Sequence, residues 1–195
     1  MTALPKPQMT LEEYLEFDRI SEGRFEYFDG KVFEMSGVHP THDRLEGRLR
    51  GTLESQLDSP GCHVFGASLR VSVPALPPYR YPDLTALCGK PEFTTIDGLP
   101  CLANPVLIVE ILSASTSAFD LKDKFEGYKS ILTFREYLLL AQDRPFVMRY
   151  LKQAERFWLQ STYGAGETVP IESLDCKLDV DALYQGINFT SETGF

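Results

Sequence analysis

The chain is poor in the features that tie a protein to a membrane, to a metal-stapled fold or to tightly held nucleic acid. No apolar run approaches the roughly 20 residues of a membrane span, and the start MTALPKPQMT lacks the marks of a signal peptide. No membrane partner and a cytoplasmic location are expected. The four cysteines, Cys62, Cys88, Cys101 and Cys176, show no C-x-x-C spacing, so neither structural zinc nor a disulfide framework is expected. No internal repeat or low-complexity segment is present. Basic residues are in deficit: 19 Lys and Arg against 28 Asp and Glu give a net charge of −9. Phosphate contacts supply most of the affinity of a tight DNA binder, so this balance argues against one. The deficit sits at the ends, however. Residues 1–40 carry 4 basic and 8 acidic residues, residues 161–195 carry 1 and 6, and residues 41–160 balance at 14 and 14. A neutral centre is compatible with a nuclease whose hold on nucleic acid is weak and cation-assisted.

What is present suits a globular chain, with 43% hydrophobic and 24% charged residues. The expectation is one domain over 1–195, with its core at about 41–142. An N-terminal helix and hairpin take 10–38, and a C-terminal hairpin and tail take 145–195. Thr10 followed by Glu13 is a capping box for a helix over 11–17. Asp29-Gly30 between apolar alternating runs predicts a β-hairpin, and Glu26 falls on it, either facing solvent or serving a site. A helix then opens at His39-Pro40-Thr41-His42 and runs to about Leu57, with Leu45, Leu49, Leu53 and Leu57 as its apolar stripe. His42 in its first turn either reaches a site or closes the helix end. Arg44, Arg48 and Arg50 read as a solvated face or as contacts to a phosphate backbone. Residues 62–73 read as a strand bulged at Gly66, 84–88 as a strand, 89–103 as a loop and 105–112 as a strand. A helix over 118–130, a strand over 136–141 and a hairpin closed by Trp158 follow, then an acidic tail over 164–195. Three strands followed by a crossover helix predict an α/β fold with a mixed sheet flanked by helices.

One residue breaks the pattern. Glu110 stands inside VLIVEIL, a run apolar enough for a central strand covered on both faces. An ionised carboxylate there costs several kcal/mol unless something neutralises it. A buried salt bridge would do so. So would pairing with Asp83, at the head of the 84–88 strand, around a hard divalent cation; oxygen ligands suit Mg²⁺, which takes one or two carboxylates and keeps several waters. On the next helix Asp120, Lys124 and Tyr128 follow at i, i+4 and i+8 on one face. Lys124 either points back at the carboxylates or makes a surface pair with Asp120.

The segments EEYL, FEYFDGKVFEMSG, the helix opening at His42, YPDLTALCG, NPVLIVEILSASTSAFDLKDKFEGY, REYLLLAQD and DALYQGI together resemble the Uma-type endonuclease family of the PD-(D/E)XK superfamily, across nearly the whole chain. The resemblance implies a restriction endonuclease-like αβββαβ core with added N- and C-terminal hairpins. It also implies that Asp83 and Glu110 bind Mg²⁺, with Mn²⁺ as a substitute, and that a lysine serves the water or the phosphate. Two residues after Glu110 stands Leu112, so that lysine has moved to the next helix, where Lys124 matches and Lys122 is the fallback. Glu26, His42 and Tyr128 are expected as supporting residues. The reading is a Mg²⁺-dependent DNA endonuclease, with a homodimer compatible with the exposed hairpins. The alternatives are a non-catalytic interaction protein on the same fold and a nuclease acting on RNA or small nucleotides.

Overall fold

The run Leu107–Leu112 alternates as a strand must: Leu107, Val109 and Ile111 join one apolar cluster, while Ile108 and Leu112 join another. Both sides of this strand are therefore packed, and the rest of the chain supplies the two layers. The computed structural model describes residues 8–35, 39–112 and 120–189, the first two of the last stretch by backbone only. In chain order the elements are α1 (Leu11–Ile20), β1 (Phe25–Phe28), β2 (Lys31–Glu34), α2 (Pro40–Gln56), β3 (Cys62–Gly66) and β4 (Leu84–Cys88). There follow β5 (Phe93–Ile96), β6 (Leu99–Leu102), β7 (Leu107–Leu112), a π-helical turn (Asp120–Lys124), α3 (Phe125–Tyr128) and β8 (Glu136–Ala141). The C-terminal part adds β9 (Phe146–Ala154), β10 (Phe157–Gly164), β11 (Thr168–Ile171), β12 (Cys176–Asp179) and α4 (Val180–Tyr184). Among the described residues, no helix is long and apolar enough to cross a membrane.

The main sheet runs β10-β9-β8-β7-β4-β3, with β7 and β8 parallel and every other neighbour antiparallel. The order α2, β3, β4, β7, helical turn, β8 is the expected αβββαβ core, interrupted by the β5–β6 hairpin. On one face lies the stripe of α2, with Leu45, Leu49 and Leu53 fully buried, joined by Ile171, Leu178 and Leu183 of the C-terminal segment. The other face holds Phe125 and Tyr128 of α3 with Phe134, Tyr137 and Trp158. A third cluster, built on Tyr14, Val32, Tyr79 and Tyr81, seats α1 and the β1–β2 hairpin.

The local signals at the N-terminus operate as their chemistry requires. Thr10 and Glu13 exchange both capping hydrogen bonds. Asp29 and Gly30 both take positive φ (46° and 81°), the geometry of a tight two-residue hairpin turn. Asp18, buried at the end of α1, accepts from Tyr79 Oη at 2.5 Å and lies 3.4 Å from Arg70 Nη2, which pins α1 to the segment leading into β4. Burial, with Asp18 alongside, pushes the Tyr79 phenol up to about 12.

Several expectations are corrected. The strand over 62–73 stops at Gly66, and Val71 makes only isolated bridges to Arg80 and Leu102. The loop over 89–103 contains the β5–β6 hairpin, turned at Asp97-Gly98. The tail folds into β11, β12 and α4. Arg44 and Arg48 donate to Gly186, Leu183 and Gln185 carbonyls, so they cap α4 rather than face a phosphate. Finally, Cys62 and Cys88 form a disulfide, where none was expected. They stand opposite each other in the β3–β4 register, a proximity that their 26-residue separation conceals. In a reducing compartment the same register holds two facing thiols.

Gly127 permits the close approach of α3 to the 74–79 segment. A Cβ there would meet Leu76 Cδ1 at 2.1 Å and Cγ at 2.4 Å, too close to both for rotation of the methyl groups alone to relieve. Gly127→Ala should therefore destabilise the fold by about 1–3 kcal/mol despite the better helix propensity of alanine. Chemical denaturation measures this, and Leu76→Ala in the same chain should recover most of the loss. A Gly127→Ala single variant at least as stable as wild type would contradict the packing.

Candidate active site

Glu110 is 3% exposed at the centre of β7, and its carboxylate is held from the following helical segment. Lys124 Nζ donates to Glu110 Oε1 at 3.2 Å and Tyr128 Oη donates to the same oxygen at 2.8 Å. Both side chains leave one face of the segment because they are four residues apart. Lys124, only 1% exposed, also lies 3.4 Å from Glu26 Oε2. Glu26 arrives from β1 and is fixed at its other oxygen, which accepts from the Tyr81 N–H at 2.8 Å. The lysine is thus clamped between two buried carboxylates from distant parts of the chain. Lys122 is exposed, while the side chain of Asp120 lies outside the described residues, as do 113–119 of the predicted helix-bearing segment.

Asp83 sits one position before Leu84, which pairs with Val109. Continuing that antiparallel register sets Asp83 opposite Glu110 on the neighbouring strand. Its Oδ2 accepts from the Ile111 N–H at 2.6 Å, which fastens the head of β4 to β7. His42, at the start of α2, brings Nε2 to 3.1 Å from Asp83 Oδ1. That approach is close but out of line, so it is an electrostatic contact, and neither ring nitrogen has a hydrogen-bond partner among the described residues. Burial holds the His42 pKa below its ordinary value, against the pull of Asp43, and keeps the ring neutral near pH 7.

The structure therefore gathers Glu26, His42, Asp83, Glu110, Lys124 and Tyr128, all with less than a tenth of their surface exposed. It leaves Lys122 outside. Among the described residues Lys124 meets Glu26 and Glu110, while Asp83 meets the neutral His42 ring and the Ile111 N–H, three acids that a bound cation would help to balance. The carboxylate oxygens are hard donors, and Mg²⁺ needs only one or two of them with water and phosphate completing its shell. Among the described residues no cluster of three His, Cys, Asp or Glu side chains has the geometry to cage a metal alone. The donor set fits a hydrated Mg²⁺ and does not fit an all-protein site.

One residue of this region escaped the sequence reading. Arg80, 1% exposed, donates to the Tyr79 carbonyl at 2.7 Å and approaches the Phe28 ring at 6.0 Å. It places a second buried cation just before Pro82-Asp83. Its only sequence signal is its place between two aromatic residues, Tyr79 and Tyr81.

Comparison with known proteins bears on the family and the fold. Two proteins of Synechocystis sp. resemble the chain over most of their lengths. One, slr1290, is 28% identical over 185 residues, covering 95% of this chain and 96% of its own. The other, sll1609, is 30% identical over 164 residues, covering 84% and 92%. The fold matches the crystal structure of "a putative nuclease belonging to DUF820 from Anabaena variabilis" with a TM-score of 0.72 at 18% identity, over 90% of this chain and 97% of that one. The Uma2 family model, described as "Putative restriction endonuclease", matches residues 11–181, and the chain belongs to that family.

Proposed function

We propose that this chain is a Mg²⁺-dependent endonuclease that hydrolyses phosphodiester bonds of DNA. The observation that carries the reading is the grip of Lys124 and Tyr128 on Glu110, one strand away from Asp83. An acidic pair on adjacent strands, with a cation delivered from the next helical segment, suits phosphoryl chemistry, where negative charge must be balanced as it moves. Asp83 and Glu110 would hold Mg²⁺, or Mn²⁺ in its place. When bound, such an ion lowers the pKa of a water and offsets charge on phosphate oxygens.

The chain's own groups do the positioning. Lys124 presents a fixed positive charge where the phosphate gains negative charge, and low solvent access makes that charge effective. Glu26 gives Lys124 a second counter-charge, so the ammonium stays anchored when Glu110 is engaged elsewhere. Tyr128 fixes the Glu110 carboxylate, and the Ile111 N–H fixes Asp83. His42, kept neutral, stands over Asp83 Oδ1 without competing for it as a cation. The reaction forms a bond from the water oxygen to phosphorus, breaks a phosphorus–sugar oxygen bond, and returns a proton to the leaving oxygen.

The burial of Lys124 favours a second reading, an interaction protein in which the lysine only neutralises Glu26 and Glu110. Two experiments separate the readings. In thermal melts, Mg²⁺ or Mn²⁺ at a hundred times its dissociation constant should stabilise wild type by about 2.7 kcal/mol relative to a chelator. In Asp83→Ala the two curves should coincide. An equal shift in both proteins would place the ion elsewhere.

The second experiment is cleavage of supercoiled and single-stranded DNA. Lys124→Ala should lower the rate by about 100-fold or more, whereas Lys122→Ala should stay within about twofold of wild type. Without metal, Lys124→Ala should also be less stable by about 3 kcal/mol, because two buried carboxylates lose their shared partner. Its metal-dependent stabilisation should then exceed that of wild type. Undiminished cleavage by Lys124→Ala would remove the lysine from the chemistry. Absence of cleavage by wild type with either metal would favour the interaction reading.

A further inference from the structure

Among the described residues the buried lysine and arginine side chains are met by acids, with one exception. Lys124 lies between Glu26 and Glu110, and Arg149 between Glu136 and Glu172. Arg80, 1% exposed, has no carboxylate partner among the described residues. Its contacts are the carbonyl of its own neighbour Tyr79, at 2.7 Å, and the Phe28 ring, whose centroid is 6.0 Å away. A neutral acceptor and a ring at the outer limit of a cation–π contact do not replace a counter-ion. The guanidinium is a planar fork of five N–H donors, shaped for the paired oxygens of a carboxylate or a phosphate.

The backbone places this cation on the side of the site. Arg80 is extended, since it exchanges both backbone hydrogen bonds with Val71. Tyr79 and Tyr81 on either side of it pack into the cluster with Tyr14 and Val32, so the residue between them points the opposite way. On β1 the same division holds: Phe25 and Tyr27 join the tyrosine cluster, while Glu26 and Phe28 look away from it. Glu26 meets Lys124 and the Tyr81 N–H. Phe28, two residues on and about 7 Å along the strand, meets Arg80. Lys124 and Arg80 therefore lie under one face of the hairpin, each against its own residue of β1.

We propose that Arg80 binds a second phosphate of the substrate strand, next to the one that Lys124 serves. The identity of this ligand rests on the nuclease reading; the demand of Arg80 for an anion does not. A nucleic acid strand carries a phosphate at every nucleotide, so holding one at Lys124 brings another within reach. A chain with a net charge of −9 has little general attraction for nucleic acid, which makes a preformed cation more valuable to it. Phe28, half-buried at the last position of β1, covers the guanidinium in the free protein and gives way to the phosphate. A phosphate held away from the reacting bond is bound alike in the ground state and the transition state, so Arg80 acts on binding rather than on the chemical step.

Melts and kinetics of Arg80→Met test it together. Inorganic phosphate, compared with chloride at equal ionic strength, should raise the melting temperature of wild type and leave that of Arg80→Met unmoved. In chloride, Arg80→Met should melt no lower than wild type, because no acid loses its partner, whereas Arg149→Met should melt lower. In DNA cleavage, Arg80→Met should raise KM about tenfold or more with kcat within about threefold of wild type, the reverse of Lys124→Ala. The slope of log KM against log salt should fall by about 0.7–0.9, the share of one phosphate contact, which a merely structural arginine would not change. Phe28→Ala, which uncovers the guanidinium, should bind phosphate at least as tightly as wild type. Cleavage by Arg80→Met with unchanged KM and salt slope overturns the proposal and leaves the nuclease reading standing. A phosphate effect that needs Arg80, in a protein that cuts no DNA, upholds the anion site and removes the nuclease reading. Equal phosphate shifts in wild type and Arg80→Met, or no shift in wild type with Arg80→Met melting well below it, make the arginine structural and overturn the proposal.

Discussion

A carboxylate in the middle of a buried strand sets the terms for much of this fold. Glu110 occupies a position that its neighbours would fill with valine or leucine, and desolvation makes its charge expensive unless it is neutralised. The chain meets that demand from two directions. The helical segment after β7 returns Lys124 and Tyr128 over the strand, and the N-terminal hairpin brings Glu26 to the same lysine. Gly127 lets the segment come close enough, and the cluster around Tyr14 and Tyr79 seats the hairpin. A second buried acid shows what a purely structural answer looks like. Glu136 on β8 is met by Arg149 and by the Ser173 N–H at 3.0 Å, which ties the C-terminal segment to the sheet. There Arg149 also meets the exposed Glu172 at 3.0 Å. Around Glu110 one lysine is shared by Glu26 and Glu110, and a further carboxylate, Asp83, stands on the neighbouring strand.

This grouping of acids connects packing to the proposed function. Glu110 and Glu26 hold Lys124, and Asp83 stands beside the neutral His42, the donor set on which the proposed metal role rests. The N-terminal module belongs to this account because it delivers Glu26. Its anchor at Asp18 leaves Asp18 Oδ1, Arg70 Nε and Tyr81 Oη buried without hydrogen-bond partners among the described residues. Such a cluster has the polarity of a place for ordered water. Tyr81, at its edge, also offers Glu26 its backbone N–H, so the anchor and the site share a residue.

The legible parts of the sequence were those in which chemistry is local. Thr10 and Glu13 announce a helix start, Asp29-Gly30 announces a turn, and the leucine stripe of α2 announces a buried face. Glu110 was legible for the opposite reason, as a charge that its surroundings forbid. Asp97-Gly98 carried the same turn signal as Asp29-Gly30, but short flanking runs with exposed threonines hid the hairpin. The tail was hidden because its apolar residues, such as Val169, Ile171 and Leu178, are spaced too irregularly to show a period and are ordered by the sheet they cover. The Cys62–Cys88 bond, the capping roles of Arg44 and Arg48 and the pairing of Glu26 with Lys124 all join residues far apart in the chain. No local pattern encodes them. The move of the lysine to the next helix was readable from the family resemblance, and geometry then separates Lys124 from the exposed Lys122.

The most direct test of the site is anomalous diffraction from crystals soaked in Mn²⁺, which stands in for Mg²⁺ and can be located independently of water. The account predicts a peak at about 2.0–2.2 Å from an oxygen of each of Asp83 and Glu110, with Lys124 released from Glu110 and still beside Glu26. Lys124 seated on Glu110 as before, with manganese found only on the acidic surface of the chain ends, would contradict it.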